Sequence, residues 1–256
     1  MLPRIPIRSL GQSGFRMQFG DRVIYVDPYL TDNVADVEGP AMRRQFAVPL
    51  KPDEVADADV VLISHIHLDH CDVRTLAPLS RASASCQFVC PSECMPALRD
   101  GGISESRLMI ASESWQDISE RLCFIAVPAA HPNVERDSLG HLRYVGYVIE
   151  FDGRRLYHAG DTSPARELLL RLSELCPIDV AFLPVNERNY YRESRGIIGN
   201  MTVREAFQLA ADLKVGTLVP MHWDMFAPNS VYREEIELLY RLMKPPFEMR
   251  IYPDCA

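Results

Sequence analysis

Four side chains that can bind a divalent cation, His65, His67, Asp69 and His70, fall within one six-residue stretch. Imidazole nitrogen and carboxylate oxygen are the donors that zinc and other first-row divalent ions accept. The stretch follows directly on the apolar run Val60-Val61-Leu62-Ile63, so a buried strand would end in a loop of ligands. On extended chain His65 and His67 point the same way, and a turn after them would present Asp69 and His70 to a second ion. A solvated polar loop capping a strand is the plainer reading, and the density of ligands argues against it.

The same placement recurs along the chain. His131 follows a predicted strand at 122–127, Asp161 follows one at 154–158, and His222 follows one at 217–219. Strand ends of a layered α/β fold share a rim, so these side chains can converge with the first four. The count suits two ions: His65, His67 and His131 for one, Asp69, His70 and His222 for the other, with Asp161 between them. Three protein donors and a bridge leave an open position on each ion. Cations about 3.5–4 Å apart can share a water and bring its pKa from 15.7 towards about 7. The expected chemistry is attack by metal-bound hydroxide on an acyl or phosphoryl centre, with Asp69 also managing a proton.

The elements that must carry these residues read as alternating strands and helices. Short β segments with glycine turns fill residues 4–30, where Phe15, Met17 and Phe19 alternate as on a half-buried strand. Residues 31–56 hold Pro40, Pro49 and Pro52 without periodicity and read as a long loop, a length often used for lids. Helices are predicted over 73–79 with Asp72 as N-cap, and over 92–99, 165–175, 203–213 and 233–243. Strands are predicted at 87–90, 122–127, 180–183, 217–220 and 249–252. Tyr144–Phe151 and Arg154–His158 read as a hairpin across Asp152-Gly153, a strong turn signal. The order fits an α/β sandwich of two mixed sheets with helices outside.

Composition bounds the function classes. With 256 residues and 47% hydrophobic content, a sizeable core can form. A net charge of −8 argues against a cationic track for nucleic acid, while a small anionic substrate remains compatible with a local Arg cluster and cations. No apolar run approaches the roughly 20 residues that span a bilayer. Seven cysteines and no signal-peptide pattern fit a reducing cytoplasm, with Cys90 and Cys94 read as buried thiols.

Beyond the ligand candidates, Asp27 ends a strand and reads equally as a turn residue or as an acceptor behind a metal-bound histidine. His158 reads as a core or supporting residue and His141 as a surface one. The segment from Asn186 to Arg195 is rich in Tyr and Arg. Its functional reading places Asn186, Tyr191, Arg192 and above all Arg195 on an anionic substrate, since guanidinium forks match phosphate and carboxylate. Its plainer reading is a solvated loop. Trp223 and Phe226 would wall the pocket or simply pack.

His65-Ile66-His67-Leu68-Asp69-His70, followed by His131, Gly160-Asp161 and His222, resembles the metallo-β-lactamase superfamily over nearly the whole chain. Within it, Leu156-Tyr157-His158-Ala159-Gly160-Asp161, Ile178-Asp179-Val180-Ala181, Arg195-Gly196-Ile197, Met201-Thr202 and Val219-Pro220-Met221-His222-Trp223-Asp224 look like the L-ascorbate-6-phosphate lactonase branch. The resemblance implies one αββα four-layer domain over 1–256, two divalent ions (zinc or manganese) and a homo-oligomer. It also implies hydrolysis of a small lactone or ester, such as a phosphorylated sugar lactone. Two departures bear on the substrate. The chain is shorter than the lactonase at both ends, and His131 stands where that branch lacks a histidine. The alternatives are a phosphodiesterase or nuclease on the same dinuclear site, and a non-catalytic metal-binding regulatory protein.

Overall fold

The computed structural model describes residues 5–252. Its first half contains β1 (Ile7–Gly11), β2 (Gly14–Phe19), β3 (Arg22–Val26), α1 (Asn33–Glu38), β4 (Val60–Leu62), α2 (Val73–Ala82), β5 (Gln87–Cys90), α3 (Met95–Asp100) and β6 (Leu108–Ile110). These six strands form one sheet in chain order. The second half contains β7 (Gln116–Ser119), β8 (Leu122–Pro128), β9 (Val145–Phe151), β10 (Arg154–His158), α4 (Arg166–Glu174), β11 (Val180–Pro184), α5 (Tyr190–Glu193), α6 (Val203–Asp212), β12 (Thr217–Met221), α7 (Arg233–Met243) and β13 (Glu248–Met249). Its seven strands form the other sheet, also in chain order. Both sheets are mixed: antiparallel hairpins open each half and parallel strands close it.

The inner faces of the two sheets share one core. Phe15, Met17 and Phe19 of β2 are buried with Phe124, Tyr147, Ile149 and Phe182 from the second sheet. Phe15 and Phe182 meet with ring centroids 4.7 Å apart, and Phe19 meets Phe151 at 5.6 Å. Outside the first sheet, Tyr25, Val61 and Ile63 pack under Leu76 of α2 and Leu98 of α3 in a separate cluster. Ala206, Phe207 and Leu209 of α6 cover the other sheet. This is the helix–sheet–sheet–helix layering that the order of elements predicts. Among the described residues, no helix is long and apolar enough to cross a membrane.

Local chemistry sets the boundaries. Asp72 caps α2 by accepting from the Arg74 N–H at 3.1 Å. Thr202 and Glu205 form a reciprocal capping box at α6. The Asp152-Gly153 turn takes positive φ at both residues, as a tight hairpin with right-handed strand twist requires.

Three expectations change. Residues 31–56 are not one structureless loop, because α1 and two short 3₁₀ turns fold within them. β6 and β7 were absent from the predicted strands. The last strand pairs at Glu248 and Met249 rather than over 249–252.

Candidate metal centre

Strand direction brings the donors together. β8 and β10 are both antiparallel to β9, and β10, β11 and β12 are mutually parallel. Their C-terminal ends therefore lie on one rim, and His131, Asp161 and His222 follow three of them. Two bonds tie the start of the histidine loop to the second sheet. The Tyr147 hydroxyl donates to the Ile63 carbonyl at 2.8 Å, and the Val145 N–H to the Ser64 carbonyl at 3.0 Å. Gly160 lets Asp161 approach this loop. It has φ +58°, and a Cβ there would stand 2.6 Å from the Val145 carbonyl oxygen and 2.8 Å from Ser64 Cβ.

The donor atoms gather in three overlapping groups: His65, His67 and His131; His65, His70 and Asp161; and Asp69, His70 and His222. Within a group, every ligand atom lies within 4.8 Å of the others. His70 Nε2 is 3.4 Å from Asp161 Oδ1 and 3.5 Å from Asp69 Oδ2. His222 Nε2 is 3.2 Å from Asp161 Oδ2 and 3.4 Å from Asp69 Oδ2. Metal–ligand bonds of about 2.1 Å set tetrahedral neighbours about 3.4 Å apart. The cluster therefore has the spacing of a cation's shell. His70 Nε2 and Asp161 Oδ1 are buried and have no hydrogen-bond partner among the described residues. Leaving such atoms unpaired is costly, and a divalent cation would satisfy both.

Outer contacts orient the imidazoles. Asp27, fully buried, accepts from His70 Nδ1 at 2.8 Å, from the Ser64 hydroxyl at 2.6 Å and from the Ser64 N–H at 2.7 Å. Ser64 Oγ is 3.0 Å from His65 Nδ1. His131 Nδ1 is 3.1 Å from Asn200 Oδ1. With their Nδ1–H groups donating outward, these rings turn Nε2 inward, the arrangement that fixes a ligand's orientation. Asp27 thus has the supporting role that its position after β3 allowed.

The electrostatics split the cluster. Burial pushes the His131 imidazole down to about 4, with Asp161 opposing, and burial likewise holds His65 well below the usual range. For His70 and His222 burial acts downward too, but the carboxylates Asp69 and Asp161 outweigh it and raise them to about 9 and about 10. At pH 7 a cation entering between Asp69, His70 and His222 must displace protons, whereas one entering between His65 and His131 meets neutral rings. Affinity at the former position is expected to climb as pH rises from 7 towards 9, by up to about tenfold per unit for each displaced proton. Calorimetric metal titrations in buffers of different ionisation heat check this. Proton release that is the same for both positions would contradict it.

These donors line a cavity of about 350 Å³, with His67, Asp69, His131, Asp161 and His222 at its base. Residues 22–223 match the family model described as a Beta-lactamase superfamily domain. The chain belongs to that superfamily. Among curated relatives, a UPF0173 metal-dependent hydrolase of Thermococcus onnurineus is 30% identical over 240 residues, covering 92% of each chain. One of Pyrococcus abyssi is 28% identical over 237 residues, again 92% of each. The chain is therefore a member of this metal-dependent hydrolase family. Among solved structures, Igni18, a metallo hydrolase from Ignicoccus hospitalis, superimposes with a TM-score of 0.71 at 20% identity over 96% of this chain and 94% of its own. An isothiocyanate hydrolase from Delia radicum gut bacteria superimposes at 0.74 with 15% identity, over 97% and 96%. At those identities the likeness concerns the fold.

The residues expected to grip an anionic substrate lie elsewhere. Arg192 is buried, and its guanidinium is committed to Asn229 Oδ1, Glu187 Oε1 and the Ser230 carbonyl. Asn186 is buried behind the cavity. It accepts from Asn200 Nδ2 at 2.9 Å and donates to Asn229 Oδ1 at 3.0 Å, in a chain that ends on His131. Arg195 lies 3.8 Å from the Tyr191 ring centroid and bonds the Tyr191 carbonyl. None of these four lines the cavity; Gly196, Ile197 and Ile198 do. For Arg192 the physical reason is that a guanidinium satisfied by a carbonyl, an amide and a carboxylate staples a loop together instead of reaching out of it. Phe226 does wall the cavity, whereas Trp223 is packed against the core.

The two remaining histidines are structural. His158 Nε2 is 2.8 Å from the Ser13 carbonyl, and its Nδ1 accepts from the Gly160 N–H. His141 pairs with Asp137 at the surface. Sequence reasoning missed Gln12, whose Nε2–H donates to Asp69 Oδ2 at 2.7 Å. A lone glutamine in a glycine-flanked turn carries no signal that could have revealed it.

Proposed function

We propose that the chain hydrolyses a small, uncharged ester or lactone. The observation that carries this reading is the cavity wall. Val34, Met42, Leu68, Ile197, Ile198 and Phe226 surround the donor cluster, and no Lys or Arg is among the described residues that line it. Its volume lies at the small end of the usual range for ligand pockets, about 300–1,000 Å³. A phosphorylated sugar lactone, the finer expectation from the resemblance, needs a cationic cradle for its phosphate. Here the one acidic residue of the wall outside the donor cluster, Glu38, would repel it. A phosphodiester meets the same obstacle.

The donors His65, His67, Asp69, His70, His131, Asp161 and His222 would hold divalent cations. Zinc or manganese bound there supplies Lewis acidity and acidifies water at neutral pH. The apolar wall binds the alkyl part of the substrate and thins the water around the scissile carbonyl, which strengthens electrostatic stabilisation inside. Asp69 Oδ2 faces His70 and His222 within the donor cluster, which leaves Oδ1 as the atom free to take a proton. Burial raises the Asp69 carboxyl, but the charges of His70 and His222 outweigh it and hold it well below the usual carboxylate range, so an incoming cation meets a carboxylate.

A matched substrate pair tests the reading. With Zn²⁺ or Mn²⁺ supplied, a short-chain uncharged ester should be cleaved with kcat/KM at least about tenfold above its terminally phosphorylated analogue. An inverted ranking would overturn the substrate class. Absence of turnover across esters, lactones and phosphodiesters in the fully loaded protein would overturn hydrolysis altogether.

A further inference from the structure

We propose that Gln12 is an additional oxygen donor at the cation position formed by Asp69, His70 and His222, which makes that position harder than the three-histidine one. The proposal rests on the reading of the cluster as a cation site. Gln12 occupies the turn between β1 and β2 with φ +57°, a conformation uncommon for a residue with a side chain. Both of its backbone groups are tied to the segment after β12. Its N–H donates to Asp224 Oδ1 at 3.2 Å, and its carbonyl accepts from the His222 N–H at 3.0 Å.

This double anchor drives a buried side-chain amide inward. Gln12 Nε2 stands 2.7 Å from Asp69 Oδ2 and 3.0 Å from His222 Nε2. Donors at right angles on bonds of about 2.1 Å are about 3.0 Å apart, so the end of this amide has the spacing of a neighbour in a six-coordinate shell. An amide end is nearly symmetric in shape, and half a turn about its last torsion exchanges N–H donor for carbonyl acceptor. In this orientation the N–H satisfies the Asp69 carboxylate. Turned over, Oε1 offers a lone pair from the same place.

The two positions then differ in kind. One offers the imidazoles of His65, His67 and His131. The other offers oxygens from Asp69 and Gln12 with the imidazoles of His70 and His222, and Asp161 reaches both. Imidazole-rich sets suit zinc, and oxygen-rich sets of higher coordination suit manganese(II) or magnesium. A mixed centre follows, with zinc on the three histidines and Mn²⁺ beside Gln12.

Competitive loading with Zn²⁺ and Mn²⁺ decides the matter, read by elemental analysis and Mn²⁺ electron paramagnetic resonance rather than by turnover. Gln12→Leu is expected to weaken Mn²⁺ binding by about 10–100-fold while zinc at the three-histidine position stays within about twofold. Gln12→Glu, which keeps an oxygen, should retain Mn²⁺. Unchanged Mn²⁺ affinity in Gln12→Leu, or equal loss of both metals, would overturn the proposal. Should the leucine variant not fold, Gln12→Asn replaces it. Its amide falls one methylene short, so Mn²⁺ should weaken, and unaltered affinity would refute the role of Gln12. A wild-type chain that binds neither ion would instead sink the cluster reading itself.

Discussion

Asp161→Ala is expected to lower turnover about a thousandfold and to cost the protein cation at both positions. Asp161 is the one carboxylate that reaches both donor sets. Its Oδ1 faces His70 Nε2 at 3.4 Å, and its Oδ2 faces His222 Nε2 at 3.2 Å and His131 Nε2 at 3.7 Å. Metal activation contributes several kcal/mol to such reactions, and each ~1.4 kcal/mol is tenfold in rate. Removing the shared carboxylate also strips His70 and His222 of one of their carboxylate partners. Asp161→Asn preserves the shape and loses the charge, so it should follow the alanine variant closely. Steady-state rates with excess metal, together with metal content after gel filtration, check this. Activity within tenfold of the wild type would remove Asp161 from the bridging position.

Asp27→Ala should be the most destabilising single change around the centre. The carboxylate is fully buried and accepts from His70 Nδ1, the Ser64 hydroxyl and the Ser64 N–H. Its loss leaves donors without acceptors where Asp27, Ser64 and His70 are all buried. Breaking a buried charged pair costs about 3–5 kcal/mol, and a domain of this size loses about 2–4 °C of Tm per kcal/mol. A fall in Tm on the order of 10 °C is therefore expected. The freed His70 ring should also weaken cation binding by about 10–100-fold. Thermal and urea unfolding of chelated samples isolate the first effect, and metal titration the second. A change below about 1 kcal/mol would contradict the account.

What the sequence made legible follows from how locally each feature is written. The histidine loop is dense and abuts an apolar run, so its place at the end of a buried strand was readable. His131, Asp161 and His222 were readable because each comes just past the end of a strand. α1 has six residues in a proline-bearing region, too few for a helical period to emerge. β6 buries Leu108 but leaves Met109 and Ile110 exposed, and β7 has a single apolar residue, Ile118, so neither shows an alternation long enough to betray it. Asn186 and Arg192 were misplaced for a different reason. Their types suit a ligand, and only the fold reveals that Arg192 is consumed by Glu187, Asn229 and Ser230 and that Asn186 links Asn200 to Asn229. Gln12 is the converse, because its meaning comes wholly from the distant Asp69 and His222 beside it.

The donors come from both halves of the chain, four from the loop after β4 and three from the rim of the other sheet. Neither half holds a full set, so a cation bound here would act as a clasp across the seam. Its removal would loosen the grip between the layers more than the layers themselves. Chelation should accordingly raise amide exchange first along the rim where β4, β8, β10 and β12 end, and last in the aromatic interior beneath Phe15 and Phe182.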